Sequence, residues 1–518
     1  MVTGPSAPSR RMSHMAARLC LFAALLMVSF PPCSLAGDTL PPLAVGQRLA
    51  YAGYLSGAGR DTVQAMARDK DGGIWVAGSS SSWREFTAPN WPFQANLQGG
   101  RDAFVAKYRI RPDGSADLLF WTWIGGSGDE DVSAMAVDDV GRVYIVGTTT
   151  SSDFPRAGNS FQWELGGSQD AFIAIIDPRF QERDSMYYTS LIGGSGAEVA
   201  TALAVEPDGK VLIAGYTNSI EYDKFQNGLQ PVNRGAWNAF LVRIDPFLQD
   251  SLLYGTYFGG TATDFASGVG VDSKGYVWMT GYTTSADTFP VTDGAYQTTA
   301  ASNADVFLAK FDLRQPGLDA LVYCTFLGGS ALDVAQKMVI DAQGFIWIGG
   351  YTLSFDFPTT PDAYQTAYGG FGDAFLMKID PSKLNANPIA YSTYLGGADG
   401  DVLYSFQVGA DGRVVMAGYT MSPDFPVTAE TLQNRLASDF ADAFLTVLDP
   451  QKPGKAALEY STYYGGNYTD VATDVLIDAA GYVLLCGYTT STDLPATDGS
   501  VKGNPPAVTS GFLAAIGK

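Results

Sequence analysis

One glycine recurs seven times at a fixed distance from another, and no other feature of this 518-residue chain narrows its fold as much. A Gly-Gly pair closes an aromatic-rich run at Gly125-Gly126, Gly193-Gly194, Gly259-Gly260, Gly328-Gly329, Gly396-Gly397 and Gly465-Gly466, with Ser56-Gly57 as a degenerate first copy. Successive copies are 66 to 69 residues apart. Twenty-one residues after the second glycine another follows in every copy, at Gly78, Gly147, Gly215, Gly281, Gly350, Gly418 and Gly487. A period of that length, kept without insertion or deletion across this stretch, denotes one supersecondary unit copied seven times.

Each copy reads as four strands. Strand a follows the glycine pair, alternates as at Ala335, Met338 and Ile340, and ends in a D-x-x-G turn such as Asp341 to Gly344, where Asp bonds the turn backbone and Gly takes positive φ. Strand b follows at once and is β-branched and aromatic, as in Tyr276 to Thr280. A loop of some twenty residues then carries a Phe-Pro pair (Phe154-Pro155, Phe289-Pro290, Phe357-Pro358, Phe425-Pro426) and a Gln. Strand c opens at Asp102, Asp170, Asn238, Asp305, Asp373, Asp442 and Ser510, and strand d is the aromatic run, as in Tyr391 to Leu395. Radial repetition of four antiparallel strands predicts an all-β, seven-bladed β-propeller, with a linear stack as the rival. The chain presents a lone strand d at Gln47 to Leu55 and a last copy ending on strand c at Gly511 to Ile516. A ring needs that first strand to complete the last blade, whereas a stack needs capping repeats, and none is visible. The predicted propeller spans 47–518, preceded by a short Pro-containing linker at 37–46.

The recurring elements STYLGG (Ser392 to Gly397), D-x-x-G, GYT (Gly418 to Thr420), DFP (Asp356 to Pro358) and DAF (Asp373 to Phe375) resemble the SBBP repeats, a bacterial β-propeller repeat of exported proteins, from about Tyr51 to Lys518. The resemblance implies a propeller scaffold and brings no catalytic motif with it. Departures are a missing Phe-Pro around Lys224-Phe225, an enlarged loop in the first copy, and Ser510 in place of Asp.

Arg10, Arg11 and Arg18 precede an apolar run from Leu19 to Phe30, and Ser34-Leu35-Ala36 offers small residues for cleavage. Residues 1–36 therefore read as a signal peptide, and the protein is expected to be exported: periplasmic, secreted or cell-surface associated. No second apolar stretch of membrane length follows. Without residues 1–36 the chain has 29 basic and 53 acidic residues, a net charge of −24, and no histidine, since the single His is His14. A Ser-His-Asp triad, a Cys-His pair and His-ligated zinc are then excluded. So acidic a surface also argues against nucleic acid as a partner. Cys324 and Cys486 are expected to pack unpaired as small hydrophobes, in a monomer.

Two groups of residues could carry a function. Four residues after each second glycine stands an acid: Asp61, Glu130, Glu198, Asp264, Asp333, Asp401 and Asp470. If strand a is innermost, these form a ring at one mouth of the central channel, either a cation funnel or calcium site or acceptors for the backbone of their own glycine turns. A feature present in every blade serves what every blade shares, which favours the second. No other cofactor is expected. The symmetry-breaking group is Trp83, Trp91, Trp163 and Trp237, all in b-to-c loops of the first three blades, with Arg84, Arg101 and Tyr222 nearby. Aromatics with mixed charges suit a protein or glycan ligand, while the plain alternative is a local loop core. The expected function is a non-catalytic binding scaffold that uses this loop face. The alternative is a carbohydrate-active hydrolase or lyase working through carboxylate, Tyr and Arg without His.

Overall fold

The computed structural model describes residues 43, 46–55, 57–82, 91–111, 113–225, 228–497 and 508–517. The expected signal peptide, and all of the linker but residues 43 and 46, lie outside them. Among the described residues, 28 strands form seven antiparallel sheets of four. Blade one comprises strands a to d at Asp61–Arg68, Ile74–Ser80, Asp102–Ile110 and Ala116–Ile124. Blades two to six repeat that order. Blade seven is Asp470–Ile477, Val483–Thr489 and Ser510–Gly517, completed by Arg48–Leu55 from the other end of the chain. Each strand a packs against strand a of the next blade, and the last against the first, so the ring closes and strand a is innermost.

A β-bulge in every strand a explains the fixed glycine spacing. The pairing with strand b skips one residue: Gln64, Ser133, Thr201, Ser267, Gln336, Tyr404 or Thr473. The extra residue bends the strand and presses a carbonyl onto its partner. A Cβ on Gly281 would overlap the carbonyl oxygen of Phe265, and one on Gly487 that of Val471, so only glycine fits opposite the bulge. All seven skipped residues are buried, and all but Tyr404 are polar. Thr201 Oγ1 donates to the Ala266 carbonyl at 2.8 Å and Thr473 Oγ1 to the Val63 carbonyl at 2.8 Å, each reaching strand a of the following blade.

The remaining motif residues build the seams between blades. The Phe of each Phe-Pro pair is buried against the strand c Phe, with ring centroids 4.5 to 4.9 Å apart in four blades. Tertiary burial of these rings pins the long loop to the sheet. Cys324 and Cys486 are buried and free, and burial pushes both thiols well above the ordinary thiol range. Both should be titratable in denaturant and should react negligibly with an uncharged thiol reagent in the native protein. Rapid native labelling of either would contradict this packing. Among the described residues no helix is long and apolar enough to cross a membrane.

Candidate functional site at the channel mouth

The seven acids at the start of strand a are at most 3% exposed, so they do not line an open funnel. In every blade the carboxylate accepts the N–H of the second glycine of the pair, at 2.7 to 3.1 Å. It also accepts a Ser hydroxyl from just beyond strand b, as from Ser151 to Glu130 at 2.5 Å and from Ser354 to Asp333 at 3.0 Å. The acid thus staples its glycine turn to the end of strand b. Burial pushes Glu130 and Asp333 up to about 7 and Asp470 up to about 6, against the pull of these donors. Among the described residues no group of three or more His, Cys, Asp or Glu side chains is placed to hold a metal ion.

The strand c acid of one blade and the strand a acid of the next meet at the first glycine of the pair. A methyl group on Gly396 would lie 2.6 Å from Asp401 Oδ2 and 2.8 Å from Asp373 Oδ1. The loop Gln completes the seam: Gln365 Nε2 donates to Asp373 Oδ2 at 2.9 Å, and its Oε1 accepts the Gly396 N–H at 3.2 Å. Gln94, Gln162, Gln230, Gln297 and Gln433 do the same at their seams.

Symmetry breaks one residue further on. The residue after each acid pairs with the penultimate residue of strand b, and these rungs sit at the glycine-turn end of the innermost ladder. In blades three to seven they are Val199–Tyr216, Phe265–Tyr282, Val334–Tyr351, Val402–Tyr419 and Val471–Tyr488. In blades one and two they are Thr62–Ser79 and Asp131–Thr148. An aromatic crescent therefore occupies five blades, and a polar gap the other two. Tyr216 packs at 4.1 Å from Phe265, which packs at 5.1 Å from Tyr282. Burial raises the phenols of Tyr282, Tyr351 and Tyr419, and neighbouring phenols raise them further, so the crescent is neutral. Arg101 occupies the gap, paired with Asp131 at 2.5 Å and donating to Thr62 Oγ1 at 3.1 Å.

The structure does not gather the sequence-predicted ligand residues into one patch. Arg101 and Trp237 occupy equivalent places, each just before strand c and bridged to the residue before the next blade's acid. Trp237 is half-buried and packs at 5.5 Å from Tyr216. Trp91 is 64% exposed, but its carbonyl accepts the Glu182 N–H at 3.0 Å, which sets it against the c-to-d turn of blade two, opposite the mouth. Trp163 is half-buried in the loop of blade two. Tyr222 is core: buried, edge-on to Phe225 at 4.8 Å, its hydroxyl donating to Gln162 Oε1 at 2.5 Å. Trp83 and Arg84 lie outside the described residues. Sequence reasoning missed the tyrosines, although GYT gives way to GSS at Gly78 and GTT at Gly147 in the two blades that form the gap.

Comparison with protein families finds the SBBP β-propeller repeat at residues 122–155, 253–288 and 459–495. No curated protein matches the sequence. Among solved structures, a protein of unknown function from Dyadobacter fermentans is 12% identical with a TM-score of 0.38, covering 90% of this chain and 99% of its own. A PQQ-bound aldose sugar dehydrogenase from Streptomyces coelicolor is 11% identical with a TM-score of 0.31, covering 75% and 97%. A gluconolactonase from Xanthomonas campestris is 11% identical with a TM-score of 0.30, covering 74% and 94%. Each matched segment runs from strand d through the glycine pair and strands a and b into the following loop, a part of the unit that repeats around the ring, and the chain is a seven-bladed β-propeller carrying the SBBP repeat.

Proposed function

We propose that this propeller is an exported, non-catalytic binding scaffold whose ligand is a glycan held at the channel mouth. The observation that carries the reading is the aromatic crescent of blades three to seven, interrupted at one place by the Arg101–Asp131 pair. Half-buried rings such as Trp237, Tyr216 and Tyr282 offer stacking faces fixed by their own packing. An ion pair beside them offers donors and an acceptor for sugar hydroxyls or a uronate. The carboxylate pairs that a hydrolase would need are buried and recur at several seams, which suits assembly rather than chemistry. A protein partner is the second reading, favoured by exposed Phe371, Phe440 and Tyr468 around the same face.

A glycan array probed with the folded protein tests this. Arg101→Gln and Asp131→Asn should each weaken the glycan bound by wild type about tenfold or more, a loss of about 1.4 kcal/mol. Trp91→Ala should leave binding unchanged. Equal binding by wild type and both mouth variants, or no glycan bound at all, would overturn the reading.

A further inference from the structure

At the seam between blades three and four an asparagine stands where five other seams have aspartate, and it shows what the position requires. Asn238 Oδ1 accepts from Gln230 Nε2 and the Arg234 N–H, both at 2.8 Å. Its Nδ2 donates to the Trp237 carbonyl (3.1 Å), the Gly260 carbonyl (3.0 Å) and Asp264 Oδ2 (2.9 Å). That corner of the side chain faces three acceptors.

Asp373 and Asp442 repeat the first half of this pattern and lack the second. Asp373 Oδ2 accepts from Gln365 Nε2 at 2.9 Å and the Gly369 N–H at 2.8 Å. Asp442 Oδ2 accepts from Gln433 Nε2 at 2.7 Å and the Ala437 N–H at 2.9 Å. In both residues Oδ1 is buried without a hydrogen-bond partner. Those oxygens sit where the Asn238 amide sits, since a methyl group on Gly259 would lie 2.6 Å from Asn238 Nδ2, one on Gly396 2.8 Å from Asp373 Oδ1, and one on Gly465 2.6 Å from Asp442 Oδ1. A bare carboxylate oxygen there turns lone pairs toward lone pairs. Across the seam, Asp470 has donors at both oxygens: the Gly466 N–H and the Ser491 hydroxyl at Oδ2 and the Thr489 hydroxyl at Oδ1. Asp401 Oδ2 takes the Gly397 N–H and the Ser422 hydroxyl, but its Oδ1 is buried without a partner and burial pushes Asp401 well above the usual carboxylate range, so at that seam the pair as a whole is short of protons. Negative charge is best held where donors converge.

We infer that the Asp373–Asp401 and Asp442–Asp470 pairs each hold one proton in the folded protein near pH 6, bridging the two carboxylates across the blade seam as the Asn238 amide bridges to Asp264.

The groups around each support this. Asp373 faces Asp401 and Asp424 and the phenols of Tyr368 and Tyr394. Asp442 faces Asp470 and the phenol of Tyr463, with Asp493 beside Asp470. None of these groups is cationic. Burial raises both Asp373 and Asp442 to about 7, against the Gly369 and Gly370 amides at the first and the Ala437 amide at the second. Asp305 is the contrast in geometry: its Oδ1 takes the Ser302 hydroxyl and its Oδ2 the Ala301 N–H, both at 2.6 Å, so both oxygens have donors.

The sign follows from linkage. A folded value above the unfolded one of about 3.9 means that the folded state binds more protons in between. The contribution is full at acid pH and is lost as pH rises through neutrality. The double variant Asp373→Asn with Asp442→Asn keeps the cross-seam donor and removes the proton. Its melting temperature should match wild type at pH 5 and fall less by pH 8, with proton uptake on refolding at pH 6 reduced by about two. The infrared carbonyl stretch of a protonated carboxyl should be present in wild type at pH 6 and diminished in this variant. Conversely, Asn238→Asp should add a loss of melting temperature that grows from pH 5 to pH 8. A double variant with the wild-type pH profile, with an equal loss at every pH, or unable to fold would overturn the inference, because Asn238 shows that the amide fits.

Discussion

Replacing Asp474 with Ala should cost about 3–5 kcal/mol of folding stability, the range for stripping one partner from a buried ion pair. Asp474, on strand a of blade seven, binds partners from three other blades. Its Oδ1 is 3.2 Å from Lys337 Nζ of blade five and accepts the Ser405 hydroxyl of blade six at 2.6 Å. Its Oδ2 accepts the Met66 N–H of blade one at 2.8 Å. Lys337 Nζ also donates to Ser405 Oγ at 2.8 Å. The two charged side chains are 6% and 2% exposed, so solvent cannot replace the lost partner. In Asp474→Ala a buried ammonium keeps only a serine hydroxyl, and the Met66 and Val475 amides and the Ser405 hydroxyl lose the carboxylate as acceptor. Lys337→Met should be the milder change, because it removes the charge that needs a partner and leaves Asp474 with three donors: Ser405, the Met66 N–H and its own neighbour's N–H at Val475. The expected order of urea midpoints is wild type, then Lys337→Met, then Asp474→Ala. Equal midpoints for wild type and Asp474→Ala would show that this axial network contributes nothing.

The blades were legible in the sequence because their residues act locally. Asp61, Asp102 and their counterparts open strands in the structure as in the pattern. The D-x-x-G glycines, Gly72 and Gly344 among them, take the positive φ that the turn demands. The axial network was not legible, since Lys337, Ser405 and Asp474 come from three copies and meet only when the ring closes. One clue was present: the apolar positions Ala335, Met338 and Ile340 step by three and then two, and the bulge at Gln336 lies in the longer step. Trp91 and Trp237 lie apart for a physical reason. In three blades the long loop reaches the face opposite the mouth, as the contacts of Trp91 with Glu182, Asn159 with Ser251 and Asp362 with Gly454 record. Neighbours in such a loop need not share a surface.

Closure of the ring leads to the largest expected effect. Strand Arg48–Leu55 pairs antiparallel with Ser510–Gly517 and buries Tyr51, Ala52, Tyr54 and Leu55 in blade seven. Burying three side chains the size of Tyr and Leu stabilises by about 1.5–3 kcal/mol each, so deleting Arg48–Leu55 removes an amount comparable to the whole stability of an ordinary domain. It also leaves Ser510–Gly517 as a bare edge, a template for pairing between molecules. The deleted protein should melt far lower and aggregate, and a synthetic peptide of residues 46–57 added during refolding should restore part of the loss. A finer test isolates the seam without removing the strand. Tyr54 donates its hydroxyl to the Ser491 carbonyl at 3.1 Å and accepts the Leu494 N–H at 3.0 Å, tying the first strand to the loop that follows strand b of the last blade. Tyr54→Phe keeps the ring and strands both backbone groups, for an expected loss of about 1–3 kcal/mol. A deletion that left the melting curve unchanged would mean that six blades and an open seventh suffice, and the same result would require Tyr54→Phe to be silent as well.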